Sequence, residues 1–249
     1  MIARFSARCS AFLRWRWAPW AVAAGLAMAG LVLTALWVGV QGDTLYRYAP
    51  MAEAFAAGNW HEAYHPRFGV GMPTFAGSLV WLTGRDGLTA CAWAALVARA
   101  LCVPPLFAVA ERLFGRATAW VAALLYAICP MTFYWALCGL REPFRTFGVL
   151  CSVLAILRRR GGERWLSVWP LLVALPVLCT FRSDTIAVGG ALLLVYGAYD
   201  RLGARFWLAA LWMLAWLQPG CLLTWDWLGV WLPSTQIAGV WLRVVGGTP

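Results

Sequence analysis

Apolar residues in this chain come in long runs, and seven of those runs approach the length of a bilayer crossing: 18–40, 88–110, 117–140, 143–157, 165–181, 185–199 and 206–225. A spanning helix needs roughly 20 apolar residues, with about 17 as a lower bound. Three of the runs are short and must lean on snorkelling arginines or local thinning of the bilayer. The first run follows Arg4, Arg8, Arg14 and Arg16. It is too long for a signal-peptide core and no convincing small-residue cleavage site follows it, so it reads as an uncleaved helix with its N-terminus in the cytoplasm.

The stretch 41–87 sets the parity. Its one apolar run, Thr74–Thr83, is too short to span. Phe75, Leu79 and Leu82 recur there at helical spacing, as do Leu45, Tyr48, Ala52 and Phe55 earlier. This pattern predicts two amphipathic helices lying in the outer interface. The fold expected is therefore all-α: a polytopic transmembrane helical bundle of about seven spans, with two interfacial helices in the first outer loop. Residues 1–17 form a basic cytoplasmic N-terminus, 18–225 the membrane module, and 226–249 a short outer tail.

Composition agrees with the pattern. Of 249 residues 63% are hydrophobic and 12% are charged, about half the charged share of a soluble domain. A soluble globular enzyme, a disordered regulator and a coiled coil are excluded on that ground. The net charge of +10 comes from arginine alone, and the arginines sit between apolar runs. Retention of cationic loops in the cytoplasm explains them without nucleic acid. On this topology 12 of the 20 arginines fall inside, and seven of the ten carboxylates fall outside. The eight cysteines form no CxxC pair, which indicates neither a disulfide framework nor a thiolate zinc site.

Most of the polar chemistry thus faces away from the cytoplasm. Asp43 follows the first span directly and reads either as a helix N-cap or as a functional carboxylate. Glu142 lies at the outer end of the third span and faces the same compartment. Carboxylates at a membrane boundary are costly unless paired, and two on one side can frame a site. Arg67, Arg141, Arg145 and Arg182 are the outer cations beside apolar segments. Each can simply snorkel; together they can clamp a phosphate, because planar guanidinium matches its oxygens in two-point contacts. Arg99 lies deep in its span, where a structural role is expected.

His61-Glu62-Ala63-Tyr64-His65 matches H-E-x-x-H, in which two imidazoles on one helix face hold zinc and the glutamate activates water. Pro66 follows at once, and no further histidine exists for a third ligand. Three readings stay open: a membrane zinc protease, a metal-binding or polar-network role for His61 and His65, and plain interfacial residues. No cofactor is required by the sequence, and a divalent metal is the one candidate.

Several segments in order resemble the membrane glycosyltransferases that use polyprenyl-phosphate sugars, the family of protein O-mannosyltransferases and the lipid A aminoarabinose transferase. They are Gly42-Asp43-Thr44-Leu45-Tyr46, Ala56-Ala57-Gly58-Asn59-Trp60, His65-Pro66-Arg67, Glu111-Arg112-Leu113-Phe114-Gly115, Leu140-Arg141-Glu142-Pro143-Phe144 and Thr180-Phe181-Arg182. The resemblance implies a catalytic acid at the start of the first outer loop, here Asp43, and a second acidic position at Glu142. It also implies a polyprenyl-phosphate sugar donor drawn from the membrane lipid, an acceptor hydroxyl of unspecified kind, and an active face outside the inner membrane of a bacterium. Where the family's first motif often reads Asp-Glu, this chain has Asp43-Thr44, and Met72 precedes Pro73 where a basic residue is common. The match covers the family's N-terminal membrane module, so a partner subunit supplying the remainder is expected. A non-catalytic lipid-phosphate-binding protein is the other reading consistent with these segments.

Overall fold

The computed structural model describes Trp15 and residues 17–63, 70–163, 165–181 and 183–228; for Trp60, His61, Ser183, Asp184 and 217–228 it describes the backbone alone. Every regular element among the described residues is helical. In chain order these are α1 (Ala18–Thr34), a π-helical turn (Thr44–Tyr48), α2 (Ala49–Ala56), α3 (Trp60–Ala63), α4 (Gly71–Thr83), α5 (Gly87–Leu101) and α6 (Val103–Phe114). They continue with α7 (Arg116–Ile128), α8 (Pro130–Leu137), α9 (Glu142–Arg160), α10 (Val168–Thr180), α11 (Ser183–Asp200) and α12 (Ala204–Leu228).

The helices run back and forth between two ends. At one end Arg116 donates to the Trp15 carbonyl, Arg112 pairs with Glu163, and Arg159 pairs with Asp200. These bonds join the start of α1 to the α6–α7, α9–α10 and α11–α12 turns. At the other end the Gly39 N–H donates to the Leu137 carbonyl and the Gly87 N–H to Glu53 Oε1. Length and composition grade the passes. The joined α5–α6 helix, Gly87–Phe114, is long and apolar enough to cross a bilayer. The α7–α8 pair passes the same test only if its 48° bend is part of one span, and α1, α10, α11 and the described start of α12 are shorter apolar helices.

Side-chain size sorts inward and outward residues. Small residues fill the centre: Ala90, Cys91, Ala94, Ala95 and Ala98 of α5 are buried. Large apolar residues face out, with Leu36 81% and Ile128 73% exposed. Small residues at these contacts allow the helix backbones to approach closely. The same sorting divides α4 between its two faces. Phe75 and Leu82 are exposed, whereas Met72, Ala76 and Gly77 are buried against α2. A Cβ at Gly77 would lie 2.6 Å from the Phe55 ring, so glycine is what lets α2 and α4 meet.

The span expected over 117–140 is broken. Pro130 lacks an N–H, so the Tyr126 carbonyl accepts from the Cys129 N–H instead and the helix bends at Cys129. The second piece, α8, ends in a Schellman motif: Leu140 N–H donates to the Trp135 carbonyl and Gly139 N–H to the Ala136 carbonyl. Gly139 has φ +66, and a Cβ there would lie 2.8 Å from Cys91 Cβ. Both the left-handed backbone and the contact with α5 require glycine.

Candidate functional site

Three segments meet at the end of the bundle that carries Asp43. Thr44 Oγ1 donates to the Cys138 carbonyl over 2.6 Å in a buried contact. That bond fastens the π-helical turn to the α8–α9 turn, next to Arg141 and Glu142. Arg141 then bridges to the third segment. Its guanidinium stands over the buried Tyr48 ring at 5.5 Å, and Nη1 makes a long hydrogen bond of 3.5 Å to the Phe181 carbonyl. Below it Phe144 stacks on Phe181 with ring centroids 4.0 Å apart, and Phe75 meets Phe144 edge-on. Residues expected to act together, Asp43 and the Arg141-Glu142 pair, therefore come from segments that touch.

Asp43 does not cap a helix. Its backbone is helical (φ −64, ψ −36), its side chain makes no capping bond, and its own N–H is taken by Gln41 Oε1 at 2.8 Å. Its carboxylate pairs instead with Arg47, one turn on, at 2.9 Å, and both side chains are about half exposed. The N-cap reading of Asp43 falls with that geometry. At this end of the bundle, among the described residues, Asp86 and Glu53 cap the start of α5. Asp86 accepts from the Thr89 N–H and hydroxyl, and Glu53 from the Gly87 N–H. Burial works against the Asp86 charge, but the hydrogen bonds from Thr89 prevail and hold its carboxyl below the usual carboxylate range.

Glu142 opens α9, where the positive end of the helix dipole favours a carboxylate, and its Oε2 is shielded from solvent. Arg145, one turn on, is exposed. His65, Arg67 and Arg182 lie outside the described residues, as does the side chain of His61. Of the H-E-x-x-H segment the structure describes a single turn, α3, with Glu62 exposed and its N–H 3.5 Å from Asn59 Oδ1. Among the described residues no group of three or more His, Cys, Asp or Glu side chains is placed to hold a metal ion.

Sequence reading missed Arg47, Tyr48 and Thr44 as partners in this site. The Asp43–Arg47 spacing of four was the available signal, since such pairs face each other on a helix. The Thr44 and Tyr48 contacts are long-range and carry no local signature. Beside the site an apolar cleft of about 400 Å³ runs between the end of α1 and α8, lined by Leu33, Leu36, Trp37, Phe133, Tyr134 and Leu137. No family model, curated protein or solved structure matches the chain.

Proposed function

We propose that this chain is a polytopic membrane glycosyltransferase that moves a sugar from a polyprenyl-phosphate donor to an acceptor hydroxyl on the non-cytoplasmic side. In this reading all seven helical passes cross the bilayer and the α2 and α4 helices lie in its outer interface. The observation that carries it is the docking of the half-exposed Asp43 turn on the Cys138–Glu142 turn, with Arg141 between them and the third segment at Phe181. That arrangement holds a carboxylate open to water beside fixed cations.

The chemistry needs little more. Asp43 takes the proton of the acceptor hydroxyl as its oxygen attacks the anomeric carbon. The bond from that carbon to the phosphate oxygen breaks with inversion, and the electron pair leaves on the polyprenyl phosphate. General-base help of this kind typically contributes about 10²–10⁴-fold. Arg141 and Arg47 stabilise the charge that develops on the leaving phosphate. An exposed ion pair such as Asp43–Arg47 is worth at most about 1 kcal/mol, so it yields readily to substrate. Glu142 orients Arg141 or the acceptor, and the neighbouring apolar cleft suits the hydrocarbon chain of a donor that approaches sideways from the bilayer.

Reconstituted protein should transfer labelled sugar from a polyprenyl-phosphate donor, and Arg141→Gln should lower kcat and kcat/KM together, as for a group that acts on charge developing in the transition state. A cysteine at Asn59, in a cysteine-free background, should react with an impermeant thiol reagent in intact cells. Labelling only after lysis would overturn the proposed orientation.

A further inference from the structure

Arg99 sits inside the continuous Gly87–Phe114 helix and is 2% exposed. A cation there must be paired, and its partners are the carbonyls of a helix that ends early. Nη2 donates to the Ala127 carbonyl at 2.6 Å and to the Tyr126 carbonyl at 3.3 Å, and Nε donates to Thr132 Oγ1 at 3.3 Å. The Phe133 and Tyr126 rings flank it at 5.1 and 5.7 Å. In an unbroken helix the Tyr126 carbonyl would accept from residue 130, which is proline. With proline there, the Tyr126 carbonyl accepts from the Cys129 N–H at 3.3 Å in a tightened last turn and from Arg99, which also takes up the neighbouring Ala127 carbonyl. The guanidinium also meets the negative end of the α7 dipole. Its planar fork reaches both sides of the bend at once, which a lysine ammonium cannot do.

From the bend, α8 runs eight residues, about 12 Å at 1.5 Å per residue, to Gly139 and then to Arg141 and Glu142. The direction of α8 decides whether the Leu137 and Cys138 carbonyls meet the Gly39 N–H and the Thr44 hydroxyl. We propose that Arg99 is a positioning residue: by closing the end of α7 it holds the 48° bend, and the bend holds the Cys138–Glu142 turn against the Gly39–Tyr48 segment. The placement stands on this geometry, and its bearing on turnover rests on the glycosyltransferase reading above.

A cross-link reads the placement directly. A Cβ at Gly39 would lie 2.6 Å from Cys138 Sγ, so Gly39→Cys should form a disulfide with Cys138 when full-length protein in membranes is oxidised. Peptide mass spectrometry measures the yield. Adding Arg99→Met should lower that yield roughly tenfold, as expected for losing a buried charged hydrogen bond. Adding Pro130→Ala should lower it too, because the new N–H competes for the Tyr126 carbonyl and straightens the bend. The decisive variant carries Arg99→Met and Pro130→Ala together. There the continuous helix satisfies its own carbonyls, so the unfolding midpoint should recover above that of Arg99→Met alone while the cross-link stays low. Joint recovery of midpoint and cross-link would reduce Arg99 to a stabilising residue and overturn the proposal. So would an undiminished cross-link in Arg99→Met, or none in the Gly39→Cys parent. Cross-linking as expected with no transfer in the wild type would sink the glycosyltransferase reading and leave the positioning role intact.

Discussion

At the end of the bundle where α11 turns into α12, each described carboxylate is taken up by arginine; at the opposite end Asp43 keeps about half of its surface in water. Glu111 pairs with Arg116, Glu163 with Arg112 and Arg158, and Asp200, whose side chain is 0% exposed, with both Arg159 and Arg205. Asp200 also accepts from the Phe206 N–H, closing a turn in which Arg201 and Leu202 adopt positive φ. Those left-handed residues cost free energy that the buried triad offsets. The Asp43 end divides its carboxylates differently. Glu53 and Asp86 serve the start of α5, while Asp43 and Glu142 are left beside cations on segments that only long-range contacts unite. At the first end a fully buried carboxylate fixes a turn; at the other Asp43 is held in an exposed pair with Arg47.

The comparison breaks most visibly at Asp200. Asp200→Ala should destabilise the protein by about 3–5 kcal/mol, because two largely buried arginines lose their counter-charge. Chemical unfolding in detergent micelles checks this, and a loss below 1 kcal/mol would mean the triad is not structural. Gly139→Ala comes next, with a cost of about 1–3 kcal/mol from the left-handed backbone and the contact with Cys91. It should also lower transfer, since the same turn carries Arg141. Arg47→Ala is expected to change stability by less than about 0.5 kcal/mol, as for an exposed pair one helical turn apart. A cost above 2 kcal/mol would place Asp43 among the structural carboxylates.

The smallest effect concerns pH. The folded state holds the Asp86 carboxyl below its ordinary value, so its contribution is complete above the unfolded pKa of about 3.9 and is lost as pH falls through the lower folded value. Wild type and Asp86→Asn should therefore differ in midpoint by a constant amount from pH 6 down to about pH 4, and the difference should shrink only as pH falls further, through the lower folded value. A difference that widens on acidification would reverse the sign assigned to Asp86.

Much of this division was legible in the sequence. Apolar runs gave the helices, and the periodicity of 41–87 gave α2 and α4 as helices too short to span. The Phe75 and Leu82 stripe of α4 lies exposed, whereas the small residues Ala76 and Gly77, which apolar periodicity does not pick out, mark the contact with α2. The break in 117–140 was missed, although Pro130 was its available signal; Arg99, set apart in its span, was read as structural, but its partners, a pair of carbonyls across the bundle, have no local signal. Asp43 and Glu142 stood out as outer carboxylates. Their approach through Thr44, Cys138, Tyr48 and Arg141 depends on contacts up to 94 residues apart in sequence, which periodicity cannot reveal.

The central claim is that Asp43, in an exposed pair with Arg47, can act as a base while the buried Asp200 cannot, and Asp43→Asn tests it most directly. The substitution keeps shape and one acceptor oxygen but cannot take a proton. Transfer of labelled sugar from a polyprenyl-phosphate donor should fall by about 10²–10⁴-fold, with donor binding and unfolding midpoint essentially unchanged. Turnover near that of the wild type, or a loss of turnover that tracks a loss of stability, would contradict the account.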